Sequence, residues 1–412
     1  MSLTEKLQNS ILFLFILLLP TQFGKHFFFD FSYIGAIRVD YLALKLYTTD
    51  ILALILILIH NKLLQGWIRK YRQFLVIFLG LACVNIATST HPIISLFTLV
   101  KYLEVIFIGV IFYKQPIAIK TIVVAFTFGA LFELSLSISQ MVTHGSLQGI
   151  FYYFGERFLS TSMPGIAKTT LRGVELLRPY GTFSHPNSLG GFYVLIYTWT
   201  LFQLHTVSSK SHSVYIYLLL FFSSLLVFFS FSKNAVLGYS IISIIYIYLY
   251  AKMSCTMCKI GRLVGIVALG GLFLSSTHAT SSISERYLFF KQGAILFLEK
   301  PLFGQGIGQH LYALSRFPSQ NPYFFNQPIH NIFLLALVEW GILLFGFVTW
   351  TIGQVLKGRE VPVLFIVSVV VFTGLFDHYW LTLQQNMLLI GVLFGTVFNK
   401  TNPPARNEPV SK

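Results

Sequence analysis

The chain has 412 residues, of which 55% are hydrophobic, 17% aromatic and only 10% charged, with a mean hydropathy of +0.73. That composition excludes a soluble domain, which would be left with greasy surface, and makes the bilayer the solvent. A formal charge of +15 would suggest nucleic acid in a soluble protein, but here the cations are split among short loops between apolar runs, so anionic lipid head groups are their expected neighbours.

Apolar runs of spanning length lie near residues 8–24, 47–64, 73–90, 93–113, 117–141, 188–206, 213–231, 234–250, 262–278, 330–352, 361–379 and 384–399, which predicts an all-α polytopic membrane protein of about twelve helices. The first run has signal-peptide length. No small-x-small cleavage site follows it, and Pro20, Gln22 and Lys25 come next, so it reads as a retained helix. The second begins after Thr48, Thr49 and Asp50, a capped start. Lys101, Glu104, Glu133 and Glu339 are the charged residues placed within spans.

Alternate short loops carry Lys62, Arg69, Lys70 and Arg72, then Lys114 and Lys120, Lys210, Lys252, Lys259 and Arg262, and Lys357 and Arg359. By the positive-inside rule that face is the cytoplasm, and with twelve spans both termini join it. One transmembrane domain then covers residues 1–400, followed by a polar cytoplasmic tail, 401–412, expected to be disordered. Two long connections, 142–187 and 279–329, fall outside, and loops of that length usually carry function. Cys83 lies in an apolar run, and Cys255 and Cys258 form a lone C-T-M-C. Two thiols without further ligands read as an ordinary reduced loop, not a zinc site.

Some cations oppose the bias. Lys233, in the turn F-S-K-N between two apolar helices, either meets an anionic, phosphate-rich ligand or snorkels to lipid phosphate. Arg286, in S-E-R-Y, either serves the same ligand or pairs with Glu285 or a loop carboxylate.

The segment R-P-Y-G-T-F-S-H-P-N-S-L-G-G, Arg178 to Gly191, joins the first long connection to the sixth helix. Pro186 suits a first helical turn, Ser184 or His185 can cap it, and the helix start is expected to present free N–H groups toward Arg178 as an anion site. In the second connection K-P-L-F-G-Q-G-I-G, Lys300 to Gly308, is followed by P-I-H-N, Pro328 to Asn331, at the mouth of the tenth helix. Glu339, two turns further on and before Gly341, should be buried against a polar partner or line a cavity. G-Q-G-I-G has neither the preceding strand nor the aqueous domain of a nucleotide loop.

These residues resemble the O-antigen ligase and O-antigen polymerase superfamily of bacterial envelope glycosyltransferases. The resemblance rests on Arg178–Asn187, Phe231–Asn234, Glu285–Gly308 and His330–Gly341, with residues 1–140 adding a compatible helix count. It departs at Lys233, where the family commonly has Arg; the charge is kept but the bidentate fork is lost. The resemblance implies a GT-C-like fold and a bacterial inner-membrane location. It also implies transfer of a glycan from undecaprenyl diphosphate to an acceptor hydroxyl at the outer, periplasmic face, with inversion. The acceptor is a glycan, lipid or protein.

His330 is the candidate base, since a neutral hydroxyl needs help near pH 7. Arg178, Lys233, Arg286, His185, Asn187 and Asn331 are candidate diphosphate or glycan contacts. Glu339, Asp377 and His378 are candidate supports, although Asp377 and His378 also read as an interfacial pair in an aromatic belt with Tyr379 and Trp380. Tyr323, Phe324 and Phe325 are read as a sugar platform or lid. No D-x-D or comparable external carboxylate pair is present, so no metal or other cofactor is expected. The alternatives are a polymerase using a lipid-linked acceptor, and a lipid-linked oligosaccharide flippase or transporter. Transporters usually place their polar set near the midplane, whereas here it is expected at outer helix ends.

Overall fold

The computed structural model describes residues 3–171, 173–204, 210–249, 256–275, 281–318 and 327–399. Lys252, Cys255, Tyr323, Phe324, Phe325 and the tail 401–412 lie outside the described residues, so the expectations attached to them do too.

The chain opens with α1 (Leu3–Leu18) and then an extended segment, β1 (Gly24–Phe27), β2 (Tyr33–Ile34), β3 (Ile37–Arg38) and β4 (Leu44–Tyr47). β1 pairs antiparallel with β4, Gly24 opposite Tyr47, and β2 with β3. Helices follow: α2 (Thr48–Ile59), α3 (Asn61–Lys70), α4 (Arg72–Ala87), α5 (Pro92–Lys114) and α6 (Ile119–Thr143). The first long connection holds α7 (Ile150–Tyr153) and the hairpin β5 (Lys168–Leu171) to β6 (Val174–Leu177). Then come α8 (Pro186–Gln203), α9 (Lys210–Phe229), α10 (Lys233–Leu249), α11 (Thr256–Leu274), α12 (Ser281–Glu299), α13 (His310–Leu314), α14 (Ile332–Leu356), α15 (Val361–Gly374), α16 (Tyr379–Thr382) and α17 (Gln384–Phe398).

The all-α expectation holds in its main lines: the fold is mostly helical, with small two-stranded ladders confined to connections. Among the described residues three helices are long and apolar enough to span a bilayer, namely α5, α6 and α14. α2 and α3 would make a fourth if counted together, but the chain bends by 76° between them. The run 47–64 is therefore not one straight helix; α3 carries Lys62, Arg69 and Lys70 on a helix of its own. Six further apolar helices are shorter, so the count of twelve spans is not reached on length alone. Leu54, Val76, Ile93, Leu96 and Tyr248 are among the large apolar side chains exposed on helices, the surface expected where lipid is the solvent.

α8 is the hub. Every residue from Pro186 to Gln203 is buried, which a helix flanked only by lipid or water would not achieve, and α9, α10 and α15 pack around it. The second long connection is not simply a loop. Nearly half of its described part is α12, so Arg286 sits in the first turns of a helix.

α14 breaks at Gly341, whose φ of +67° interrupts the ladder. The segment after α12 docks into that break. Gln305 N–H donates to Val338 O (2.7 Å) and Gly306 N–H to Glu339 O (3.1 Å), while Ile342 N–H donates to Pro301 O (2.8 Å). Asn85 of α4 closes the arrangement by donating to Phe303 O and to Glu339 O. A side chain at Gly304 or Gly341 would collide with the backbone of the facing segment, so Gly304 of K-P-L-F-G-Q-G-I-G serves a close backbone approach. Irregular backbone at a helix break is tolerated when protein supplies the missing partners, as here.

Candidate functional site

α6 positions the first motif. Glu133 and Gln140 are two turns apart on one face, both fully buried. Gln140 Oε1 accepts from Tyr180 N–H (3.0 Å) and Gly181 N–H (2.9 Å), and Glu133 accepts from Thr182 Oγ1–H (2.5 Å) and Thr182 N–H (3.0 Å). Gly181, at φ +57°, lies so close to the Glu133 carboxylate that no Cβ fits. The loop R-P-Y-G-T is thus bolted to a helix.

That fixes Arg178. Its side chain is buried, donates Nε–H to Ser230 O (3.0 Å) and Nη2–H to Asn187 Oδ1 (2.6 Å). Asn187 in turn donates Nδ2–H to Asp377 Oδ2 (2.8 Å), and Asp377 Oδ1 accepts from the His378 backbone N–H (2.9 Å). Asp377 and His378 lie in the link between α15 and α16. Three side chains from other elements grip this link: Asn187, Arg286 through Nη1–H to Phe376 O (3.2 Å), and Asn331 through Nδ2–H to Leu375 O (3.1 Å).

His330 joins them just before α14. The nitrogens of His330 and His378 and a carboxylate oxygen of Asp377 lie within 4.8 Å of one another, and the two imidazoles meet edge-on at 5.2 Å. The His330 Nδ1 is buried with no hydrogen-bond partner among the described residues. His378 Nδ1 bonds Thr382 Oγ1 (2.7 Å).

The charges are arranged around Asp377. Burial by itself raises its carboxyl, but His378, His330, Arg286 and His185 outweigh that and hold it down at about 2. Burial lowers His330 to about 4, with Asp377 pulling the other way. Both groups lie beyond the helix ends, and at neutral pH the site is an ionised carboxylate beside a neutral imidazole.

Two expectations need correction. The start of α8 does not present free N–H groups. His185 is the cap, as one of the two candidates, and its Nδ1 accepts from Asn187 N–H (3.1 Å); Ser188 and Leu189 N–H donate to His185 O, and Pro186 has no N–H. At α14 the Asn331 Oδ1 takes the N–H groups of Phe333 (3.0 Å) and Leu334 (2.9 Å). Capping satisfies these donors, so only the dipole ends remain to attract an anion. Asn331 and His185 are thereby committed to helix starts. Lys233 is exposed at the start of α10; only its turn, through Ser230 O, touches Arg178. Arg286 makes its bond to the 376 carbonyl and not to Glu285.

Glu339 is buried at the α14 break, with Oε1 2.5 Å from His310 Nδ1. Sequence reasoning named neither His310 nor the supports Glu133 and Gln140 as parts of a site. The signal for His310 was present: a carboxylate within an apolar helix requires a polar partner. A second buried network was also unforeseen, in which Lys101 meets Asp50 at 2.5 Å and Glu104 at 3.9 Å, with Gln384 bonded to Asp50.

His330, Asp377 and His378 form the one group among the described residues with three ligating side chains close enough to share a metal ion. Both Asp377 oxygens and one His378 nitrogen already have protein partners, which fits a hydrogen-bonded cluster better than a ligand set.

Residues 218–351 match the family described as O-antigen ligase. That segment is similar to the O-antigen ligase family. The match supports the O-antigen ligase and polymerase superfamily, as the motifs suggested, and that family is associated with glycosyltransferase activity. No curated protein matches the chain. The matched segment contains Lys233, Arg286, His310, His330 and Glu339, whereas Arg178, His185, Asn187, Asp377 and His378 come from outside it and are folded onto it. The long apolar helices fit a protein that crosses a membrane.

Proposed function

We propose that the protein is an O-antigen-ligase-type transferase, moving a glycan from undecaprenyl diphosphate to an acceptor hydroxyl at the outer face of the inner membrane. The observation that carries this reading is the convergence of Arg178, Arg286, His330 and Asp377, from four separate parts of the chain, on the link between α15 and α16.

In this reading His330 takes the proton from the acceptor hydroxyl as that oxygen bonds the anomeric carbon. The bond from the anomeric carbon to the diphosphate oxygen breaks with inversion. Arg178 and Arg286 neutralise the departing lipid diphosphate, Lys233 adds its charge from the neighbouring turn, and Asp377 stabilises the imidazolium as it forms. Cations do the work a metal does in other transferases, so transfer is expected to persist in chelator. Abolition by chelator would instead assign His330, Asp377 and His378 to a metal.

The test is reconstitution of the full chain in liposomes with undecaprenyl-diphosphate-linked glycan, reading free undecaprenyl diphosphate against glycosylated acceptor. His330→Ala should leave donor binding intact and lower turnover by a factor of about 10² or more. Retained turnover would remove His330 as the base. Longer lipid-linked glycan, without transfer to another acceptor, would mark the chain as a polymerase.

A further inference from the structure

The proposed reaction makes no use of the His310–Glu339 pair, which has a property that packing alone does not require. His310 is 3% exposed and its Nδ1 lies 2.5 Å from Glu339 Oε1. A carboxylate only accepts, so Nδ1 carries the hydrogen, and in the neutral imidazole Nε2 then holds a lone pair. That Nε2 is buried and has no hydrogen-bond partner among the described residues. A buried imidazole so oriented is ready to accept one hydrogen bond, and leaving it unmet is costly.

Both residues line a cavity of about 80 Å³. At roughly 10–15 Å³ per water this holds several waters, or the hydroxylated edge of one sugar ring, and not a whole glycan. Its walls mix the rings of Tyr41, Phe97 and Tyr102 with Thr382 and Gln384, the combination of apolar faces and polar points that a sugar ring meets well. Lys101, also in the wall, is engaged by Asp50.

The position of the cavity is as informative as its chemistry. Thr382 bonds His378 at 2.7 Å, and the Tyr41 ring meets the His378 ring at 5.8 Å. His378 in turn adjoins His330 and Asp377, beyond which stand Asn187 and Arg178. A continuous chain of contacts through His378 therefore joins the arginine side to the His310 cavity, with His330 beside it. A single displacement with inversion needs its leaving group on one side of the anomeric carbon and its nucleophile on the other.

We infer that this cavity is the acceptor subsite, holding a hydroxylated sugar edge with His310 Nε2 accepting a hydrogen bond from one of its hydroxyls while Glu339 fixes the imidazole. The inference rests on the transferase reading above. His310 binds and orients the acceptor; the transferred proton still goes to His330.

The experiment uses the full chain in native membranes of the cells it comes from, which contain the natural donor and acceptor, with the lipid-linked glycan radiolabelled in its sugar. Three quantities are read: glycan joined to acceptor, free glycan released to water, and labelled donor that co-purifies with the protein. His310→Gln, which keeps a polar atom near the Nε2 position, should retain at least a third of wild-type transfer. His310→Ala should lower transfer about tenfold, the scale of one or two lost neutral hydrogen bonds, with donor co-purification unchanged and a larger share of free glycan.

Ala43→Phe fills the cavity with the dyad left in place and should act like His310→Ala, which covers the case in which the latter fails to fold. Transfer within twofold of wild type in His310→Ala or Ala43→Phe would overturn the acceptor subsite while leaving the transferase reading intact. Equal loss of donor co-purification and transfer in Ala43→Phe would also overturn it, since the cavity would then serve the donor. If the wild-type protein transferred no glycan, the transferase reading itself would fail and this inference with it.

Discussion

Replacing Asp377 by Asn isolates the electrostatic part of the proposed mechanism. A carboxylate oxygen of Asp377 lies no more than 4.8 Å from a His330 nitrogen. A unit charge pair at that separation, in an effective dielectric of about 20, interacts by roughly 3.5 kcal/mol, which corresponds to a factor of about 300 in rate if the imidazolium forms in the transition state. The substitution also has a packing consequence. Asn187 donates Nδ2–H to one Asp377 oxygen and the His378 backbone N–H donates to the other, so an amide at 377 sets its NH₂ against one of these two donors.

The double variant Asn187→Asp with Asp377→Asn repairs this, because a carboxylate at position 187 accepts from both neighbours. Asp377→Asn is therefore expected to lose about 1–3 kcal/mol of stability together with two to three orders of magnitude in kcat. The double variant should regain melting temperature without regaining kcat, since the carboxylate has moved away from His330. Turnover and thermal unfolding of the three proteins, reconstituted in the same lipid, provide the comparison. Recovery of kcat along with stability would show that Asp377 acts only through packing and would refute the electrostatic argument.

Arg286→Ala removes a half-buried guanidinium and should raise the donor KM about 10- to 100-fold in a liposome assay, with a smaller effect on the melting temperature than Arg178→Ala, whose guanidinium is buried and holds two elements together. Burial puts His330 at about 4, and a base works when deprotonated, so kcat/KM should stay level from pH 8 to about 5 and fall as pH drops through 4; an acid limb at 6.5, the ordinary imidazole value, would place the ring in water. Gly181→Ala drives a Cβ into the Glu133 carboxylate at a positive φ and should cost about 2 kcal/mol or more, read as a lower melting temperature and reduced donor binding. Chelation should leave transfer within twofold of the untreated rate.

Much of the candidate site was legible because its motifs sit at helix starts, which leave local signs. Pro186 after a residue able to cap, and Asn331 before an apolar run, mark where helices begin, and both caps occur. What those local signs could not reveal is that capping consumes the very donors that made the helix starts look like anion sites. Lys233 stood out on topology, yet the side chain that reaches the cluster from its neighbourhood is Arg178, through Ser230 O.

Composition and hydropathy by themselves determined the solvent, the predominance of helix and the segments where chemistry gathers, because transfer to lipid is a sum over local runs of side chains. The motifs pointed to the family that residues 218–351 match. Tertiary structure decided which polar residues share a space. Asp377 meets Asn187 across 190 positions and His310 meets Glu339 across 29. Neither pairing has a period that a sequence can display, because each depends on how a broken helix at Gly341 and a central buried helix, α8, bring distant chain ends together.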